Sequence, residues 1–256
     1  MTLKNLITSV WIAIFIISSI YSQDSNYNVS PTGTDPTDIL TRFDASLVRI
    51  DPLSAGYILE LAGGGDIAIT KWGSIGINVP LVYADFPSTE TFEMGDIKLK
   101  ALISFLQQPE ESVFKAAAIG VNYSMDTGDI ETGTGFGQAI LAPYITASFY
   151  VADEIMIAPF VQEFIGLEKD KSNRTFNQLD IRIITVFTFE ESIWLELTPE
   201  LIIDLEGTQK KLWALRSSLG TMINPKAGFS AEFVAQLAGE KRFDYLAGIS
   251  MRYLIK

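Results

Sequence analysis

The stretch IWLELTPELIIDLE, residues 193–206, decides the fold class of this chain. Every second residue from Ile193 to Leu205 is apolar, and the alternate positions carry the carboxylates Glu196, Glu200 and Asp204. A helix would stack these three like charges four residues apart on one face, where they repel one another. It would also hold a proline in its interior, which costs about 3 kcal/mol. The period of two therefore predicts a long β-strand with one apolar face and one polar face.

Pro199 lies inside this predicted strand. Proline has no backbone N–H, so it removes one donor from the ladder of hydrogen bonds between strands. We expect either a β-bulge at this position or a residue that is left unpaired.

The same two-faced alternation recurs along the rest of the chain. It is clear over 95–106, 135–151, 177–189, 229–237 and 243–255. Less regular copies fill 42–50, 56–70, 74–83, 113–124, 155–167 and 211–223. Short connectors separate many of these segments, whereas longer polar connectors are predicted over 86–94, 126–134 and 168–175. This succession of strands predicts an up-and-down antiparallel sheet of about twelve strands.

Two architectures accommodate long alternating strands: a soluble sandwich or lipocalin-like barrel, and a membrane barrel with its apolar face on lipid. The apolar faces continue along whole predicted strands, as a tilted membrane strand of roughly 9–11 residues requires, whereas soluble strands usually have about 5–6 residues. Isolated charges lie in the middle of the polar faces, and aromatic residues collect near strand ends. The sequence therefore predicts an all-β transmembrane up-and-down β-barrel over 41–256. A secreted soluble all-β binding protein is the alternative.

The N-terminus resembles a targeting signal. Lys4 precedes an apolar run over 6–20, and the small residue Ser22 follows it. This order predicts a cleaved signal peptide over 1–22, with a transmembrane anchor as the alternative. Residues 23–40 are rich in Ser, Thr, Pro and Asp and are predicted to form a flexible periplasmic segment. Together with the barrel, the signal predicts a bacterial outer-membrane location.

The composition excludes several kinds of chemistry. The chain has no Cys and no His, which excludes disulfides, Cys/His zinc sites, Ser-His-Asp triads and His-held haem. Its formal net charge of −12 argues against a nucleic-acid-binding face. Carboxylate, Lys, Tyr and Ser chemistry stays open. We assign no catalytic, cofactor-binding or metal-binding residue, and an enzyme is not expected because the outer-membrane phospholipase, deacylase and omptin-type protease barrels rely on a catalytic His.

The glycine-rich run GDIETGTGFG, residues 128–137, invites comparison with a phosphate-binding loop. It lacks the Gly-Lys-Ser/Thr of that motif, and no helical pattern follows it. We interpret it as a loop at the rim of the barrel.

The polar faces of the predicted strands supply candidates for the barrel lumen. They are Asp96, Lys98, Lys100, Asp180, Arg182, Glu196, Glu200, Asp204, Arg216, Glu232 and Arg252. Ion pairs are expected between the carboxylates and arginines of neighbouring strands. The carboxylates of residues 193–206 also offer oxygen ligands for Ca²⁺. Successive inward residues of a strand are about 6.6 Å apart, so one strand makes a poor cage and lumen polarity is the main interpretation.

Three runs together resemble a family of outer-membrane barrels labelled as meta-pathway of phenol degradation proteins. They are INVPLVYAD (77–85), GDIKLKALISFL (95–106) and TGTGFGQAILAPYITASFY (132–150). In that family a Gly-Asp pair opens a strand, and a Thr-Gly-rich loop leads into a strand that ends in aromatics. The chain departs from the pattern at 122–129, which lacks a Pro-Thr-Gly strand end, and at its end, YLIK, which has no terminal aromatic residue.

The resemblance implies a passive channel or transporter for small solutes, including hydrophobic or aromatic ones. The implied partners are the lipid bilayer, a small-molecule solute and the outer-membrane assembly machinery. A structural or adhesive barrel with a plugged lumen is the alternative function.

Overall fold

The structure is a computed structural model that describes residue 30 and residues 32–53, 55–87, 89–108, 112–168, 176–190, 192–206 and 210–255. The signal peptide predicted over 1–22 lies outside the described residues. Within these ranges, no helix is long and apolar enough to span a bilayer.

Thirteen strands in the described ranges form one closed antiparallel sheet. They are β1 Thr41–Pro52, β2 Tyr57–Thr70, β3 Gly73–Phe86, β4 Thr89–Met94, β5 Lys98–Gln107, β6 Phe114–Ser124, β7 Ile140–Ala152, β8 Ile155–Gly166, β9 Asn177–Phe189, β10 Ile193–Asp204, β11 Lys211–Met222, β12 Ala227–Gly239 and β13 Phe243–Ile255. Each strand pairs with the next one along the chain apart from β4 and β5, and β1 pairs with β13 to close the barrel.

The wall has twelve positions because β4 and β5 share one of them, so 13 − 1 = 12. The last part of β3, Leu81–Phe86, pairs with β4, and its first part, Gly73–Asn78, pairs with β5. The prediction of an all-β up-and-down barrel of about twelve strands is confirmed. The long connector predicted over 86–94 was wrong, because most of it forms the second strand of a hairpin with β3.

The barrel has two distinct ends. The first residue of β1, Thr41, lies opposite the last residue of β13, Ile255, so both termini of the sheet lie at one end. We call this the terminal end, and it carries connectors such as 71–72 and 153–154. The opposite end carries the longest described connector, 125–139, and we call it the loop end.

Large apolar side chains cover the outside of the wall. Ile103, Ile145 and Leu219 lie on different strands, and each is more than half exposed. A soluble barrel would bury such residues, whereas a membrane barrel presents them to lipid. Aromatic side chains lie near the loop end of this outer surface, where Tyr57 and Tyr83 have ring centroids 5.9 Å apart. The outer surface is therefore that of a membrane barrel rather than of the soluble alternative.

Pro199 interrupts the ladder without shifting it. Towards β9 the pairing runs from Leu197 opposite Thr185 to Glu200 opposite Arg182, and the two intervening positions are unpaired. The register is the same on both sides of this gap, and Pro199 pairs with Leu215 of β11. Of the two expectations, the unpaired position is confirmed and the bulge was wrong.

Two inward aromatic rings rest on glycines of adjacent strands. A methyl group at Gly120 would overlap the Tyr144 ring, and one at Gly220 would overlap the Trp194 ring. The absence of a side chain therefore lets each ring lie flat against the wall, and each pair fixes an aromatic group inside the barrel.

We predict that Gly220→Ala lowers the free energy of unfolding by about 1–3 kcal/mol, because the added methyl group forces Trp194 from its site. The measurement is the temperature at which the folded band converts to the unfolded band on a gel. Gly63→Ala is the matched control, since a methyl group at Gly63 would meet nothing within 4 Å. Equal shifts in the two variants would contradict the prediction.

Candidate functional site

Five charged side chains form a continuous ladder on the inner wall from β9 to β12. Arg182 pairs with Asp180, and its Nε donates to Glu200 Oε1 at 2.9 Å. Arg216 Nη1 donates to Glu232 Oε1 at 2.7 Å, and Arg216 Nη2 lies 3.9 Å from Glu200 Oε2. Asp180 and Glu200 are buried, so the attraction in each pair is opposed by loss of hydration. The structure thus brings together five of the residues that the sequence proposed for the lumen.

A second ladder lies on the inner wall of β13, β1, β2 and β5. Arg252 Nε donates to Asp44 Oδ1 at 3.0 Å, and Arg42 Nε lies 3.3 Å from Asp44 Oδ2 and 2.8 Å from Asp66 Oδ2. Lys100 Nζ lies 3.8 Å from Asp66 Oδ1, although β3 separates their strands. We call the two ladders together the charged belt.

The sequence predicted Lys100 and Arg252 of this second ladder but missed the other three members. Arg42 and Asp44 lie at alternate positions of the least regular predicted strand, and Asp66 follows three consecutive glycines. The alternation at Arg42 and Asp44 was the signal that could have identified these two residues, whereas the glycines before Asp66 obscure the polar face of its strand.

Aromatic side chains continue the belt across β7 and β8. The rings of Tyr144 and Phe160 are stacked with centroids 5.0 Å apart, and the Arg182 guanidinium lies 5.4 Å from the Phe160 centroid. A guanidinium over a ring face is attracted by the quadrupole of the ring. The aromatic pair therefore joins the first ladder at Arg182.

Asp96 holds the loop 125–139, a role that the sequence did not predict. One carboxylate oxygen accepts hydrogen bonds from the backbone N–H groups of Gly128 at 2.8 Å and Thr127 at 3.2 Å. The other oxygen accepts one from Phe136 N at 2.8 Å. Asp96 is buried and lies before β5, whose first residue is Lys98. Its acceptor capacity is therefore used within the loop.

The three carboxylates of residues 193–206 are in separate environments. Glu196 accepts a hydrogen bond from Thr198 Oγ1 at 3.0 Å, Glu200 belongs to the belt, and Asp204 accepts one from Glu206 N at 2.9 Å in a turn at the loop end. In the described part of the chain, no three His, Cys, Asp or Glu residues form a group suited to a metal ion. The geometry gives the Ca²⁺ interpretation no support.

Lys98 lies one inward position beyond Lys100 towards the loop end, in register with Asn78 and Ser124. The sequence proposed it, with ten other residues, as part of the lumen lining. That these side chains line a path for a solute stays a prediction.

Between the belt and the loop end, the inner wall combines apolar side chains with polar ones such as Lys98 and Gln162. On β11 the buried Leu212 lies nearer the loop end than Arg216, and on β12 Val234 lies nearer than Glu232. These pairs are separated by an even number of residues, so both members point to the same side of the sheet. The same lining continues on other strands, and we call the set the apolar upper lumen: Ala62, Val82, Ile140, Ala142, Leu212 and Val234.

The described part of the N-terminal segment crosses the lumen at the terminal end. Its first contact is with β13 and β1, where the carbonyl oxygen of Gly33 accepts hydrogen bonds from Arg252 Nη1 at 2.9 Å and Arg42 Nη1 at 3.2 Å. Its second contact is with β7, where Thr37 Oγ1 lies 3.0 Å from Ser148 Oγ. Five wall positions separate β13 from β7 in either direction, namely β8 to β12 on one side and β1, β2, β3, β4/β5 and β6 on the other. Residues 32–40, the crossing segment, therefore reach from one wall to the opposite wall.

The sequence predicted flexibility for 23–40. That flexibility stays a prediction, but the contacts of residues 32–40 with the inner wall were not foreseen.

Asp35 is buried within the crossing segment. Its Oδ1 accepts hydrogen bonds from Thr37 N at 2.8 Å and Thr37 Oγ1 at 2.7 Å, and the side chains of Ser148 and Tyr150 are further partners. Burial raises the pKa of the Asp35 carboxyl above its usual range because it removes water from the charged form, although these hydrogen bonds oppose the shift.

An apolar cluster fills the other part of the terminal end. Met156, Ala158, Val186 and Trp194 are buried together, and Tyr150, Ile184 and Met222 pack against them. The sequence predicted an inner face that carries isolated charges, and this cluster adds an apolar area at the terminal end.

No protein-family model matches the sequence, and no curated protein matches it either. Solved structures do match the fold. The COG4313 outer membrane channel from Pseudomonas putida F1 is similar with a TM-score of 0.66 and 9% identity, over 91% of this chain and 100% of that one. NanC porin is similar with a TM-score of 0.60 and 7% identity, over 83% and 98%. The CymD monoaromatic hydrocarbon channel has a TM-score of 0.50 and 7% identity, over 90% and 94%.

These likenesses show the fold, which is that of bacterial outer-membrane channels and porins, and the predicted outer-membrane location agrees with it. They do not confirm the phenol-degradation label suggested by the sequence.

We predict that Arg182→Met lowers the free energy of unfolding by about 3 kcal/mol, because it leaves buried Asp180 and Glu200 without their closest cation. The measurement is the denaturation midpoint in detergent micelles. Arg49→Met is the matched control, since Arg49 pairs with Asp51 at 2.9 Å on the outer surface and its side chain is 48% exposed. An exposed pair contributes less than about 1 kcal/mol. A loss no greater in Arg182→Met than in Arg49→Met would reject this account of the ladder.

Proposed function

We propose that the protein is a passive outer-membrane channel for small solutes with an apolar or aromatic body. The observation that carries the proposal is the apolar upper lumen, a set of buried apolar side chains between the loop end and a belt whose charges are paired with one another. A path selective for ions exposes charges that replace hydration of the ion. Here each guanidinium of the belt is paired with carboxylates, although buried Asp180 Oδ1 and Arg216 Nε lack a hydrogen-bond partner among the described residues. The pairing leaves little charge for an ion, so the wall favours an apolar solute.

The free energy available to such a solute is moderate. Burial of apolar surface contributes about 25 cal/mol per Å², so a single aromatic ring of roughly 150 Å² would gain about 4 kcal/mol in the upper lumen. That gain is enough to concentrate a dilute solute and small enough to permit release. It is therefore compatible with passive passage.

Two likenesses support the same solute class. CymD is described as a monoaromatic hydrocarbon channel, and the sequence itself resembles barrels labelled for phenol degradation. The identity of 7% with CymD means that its solute remains a property of CymD. The proposal for this chain therefore depends on the lining of its own lumen.

The channels and porins of similar fold also support the absence of enzymatic activity, which stays a proposal. We further propose that the outer-membrane assembly machinery inserts the barrel, since solved structures of similar fold are outer-membrane channels and porins.

We predict that proteoliposomes containing the protein take up toluene faster than glucose. Leu212→Glu should reduce toluene uptake about tenfold or more, because it places a carboxylate where Leu212 is 1% exposed. The matched control is Leu53→Glu, since Leu53 lies between β1 and β2 and is 51% exposed. Faster uptake of glucose than of toluene would overturn the proposed solute class.

The second candidate function is a sealed structural barrel, which the crossing segment and the apolar cluster favour. It predicts no uptake of either solute by the wild-type protein or by a variant in which the crossing segment is freed from β7. Uptake by either protein would reject it.

A further inference from the structure

The two ends of the crossing segment are held by interactions of different strength. At the base, Arg252 donates to the carbonyl oxygen atoms of Thr32 and Gly33 at 3.0 and 2.9 Å while it also binds Asp44. Arg42 donates to Gly33 O at 3.2 Å while it also binds Asp66. Hydrogen bonds from a charged donor are roughly twice as strong as neutral ones. The base is therefore attached firmly to the wall of β1 and β13.

The backbone at the base is also sterically confined. Gly33 has a φ of +64°, and a methyl group there would lie 3.1 Å from Leu254 Cδ2 and 3.4 Å from Leu40 Cδ1. Gly33 and Leu40 therefore lie close together, and the residues between them project from this base across the lumen. The geometry is that of a loop with a fixed root.

The tip is held by hydroxyl groups of β7. Thr37 Oγ1 and Ser148 Oγ are 3.0 Å apart, and the Asp35 carboxyl has the side chains of Ser148 and Tyr150 as partners. The bond between these two hydroxyls is neutral and contributes only about 1 kcal/mol net, since water replaces it when it breaks. The bonds to Asp35 are opposed by the loss of hydration of its buried carboxyl. The contact of the tip with β7 is therefore the weaker of the two attachments.

We propose that residues 33–40 form a gate of the lumen, with a hinge at Arg42 and Arg252 and a latch between Asp35, Thr37 and Ser148. When the latch is released, the tip moves away from β7. This movement opens a path along the inner wall of β7, beside the apolar cluster. The inference rests on the proposed channel function, and it adds the contact that controls passage.

The position of Asp35 makes the latch sensitive to pH. The titratable and charged groups around it are Asp38 on the crossing segment, Tyr150 on β7, and Lys115 on β6, whose Nζ lies 5.5 Å from the Tyr150 ring centroid. When latched, the buried carboxyl has a raised pKa, whereas a released tip returns it to water. The group with the higher pKa binds protons more tightly, so protonation favours the latched state. Release therefore becomes more favourable as the pH rises through the latched pKa.

The decisive experiment uses the absence of cysteine in the native chain. We expect oxidation of the double variant Thr37→Cys with Ser148→Cys to slow toluene uptake by its proteoliposomes at least tenfold, and reduction to restore the uptake. The control is Ser230→Cys with Ser250→Cys, since these hydroxyl oxygens lie 2.7 Å apart on adjacent wall strands β12 and β13. Equal toluene uptake by the oxidised and reduced latch variant, while the control takes up toluene in both states, would overturn the gate.

A second measurement separates the gate from the channel. The single variant Thr37→Cys should react with a water-soluble maleimide about three- to tenfold faster when Ser148→Ala is added, because a hydrogen bond of the latch is lost. Faster labelling in a protein that never takes up toluene would support the gate and reject the proposed function. Unchanged labelling would reject the gate whether or not the protein takes up toluene.

The pH dependence gives an independent prediction. The maleimide reaction of Thr37→Cys, corrected for thiol ionisation with a free peptide, should quicken as the pH rises because the ionised Asp35 favours release. Adding Asp35→Asn should abolish this dependence, since the amide does not titrate. The same dependence in both proteins would show that Asp35 does not control the latch.

Discussion

Every backbone N–H and C=O group in the wall must find a partner within the protein, because lipid offers none. The pairing of β1 with β13 meets this constraint where the first and last strands meet, and it brings Arg252 to Asp44 across 208 residues of chain. Closure also separates an outer face from an inner face along every strand. The belt, the apolar upper lumen and the crossing segment all depend on that separation.

The prolines of the wall show how the protein meets this constraint where a backbone donor is missing. The ladder between β7 and β8 is interrupted near Pro143 and Pro159, each of which lacks an N–H group. Side chains bind backbone oxygen atoms at both places: Gln162 Nε2 donates to Ala142 O at 3.2 Å, and Thr146 Oγ1 donates to Pro159 O at 3.0 Å. Inward polar residues therefore have two uses in this barrel, since some form the belt and others complete the wall.

The sequence predicted the features that depend on local periodicity and missed those that depend on distant partners. The alternation in residues 193–206 was enough to predict a strand and its two faces, since a strand has a period of two wherever it lies. Asp96 and Lys98 are two residues apart in one polar pattern, yet Asp96 holds a loop and Lys98 lies in a strand. The difference arises because the backbone N–H groups that bind Asp96 belong to a distant segment, at Thr127, Gly128 and Phe136. The crossing segment was missed for the same reason. Its polar composition is typical of disorder, and only the closed wall supplies the arginines that bind its carbonyl groups.

The belt and the crossing segment are parts of one arrangement rather than two neighbours. Arg42 and Arg252 each bind a belt carboxylate through Nε and a carbonyl of the crossing segment through Nη1. A guanidinium presents its donors in a rigid plane, so the direction that satisfies the carboxylate also sets where the second donor points. The charges that the barrel wall must neutralise thus determine the position of the loop across its lumen, and a change at Asp44 or Asp66 would be transmitted to Gly33 through the same two side chains.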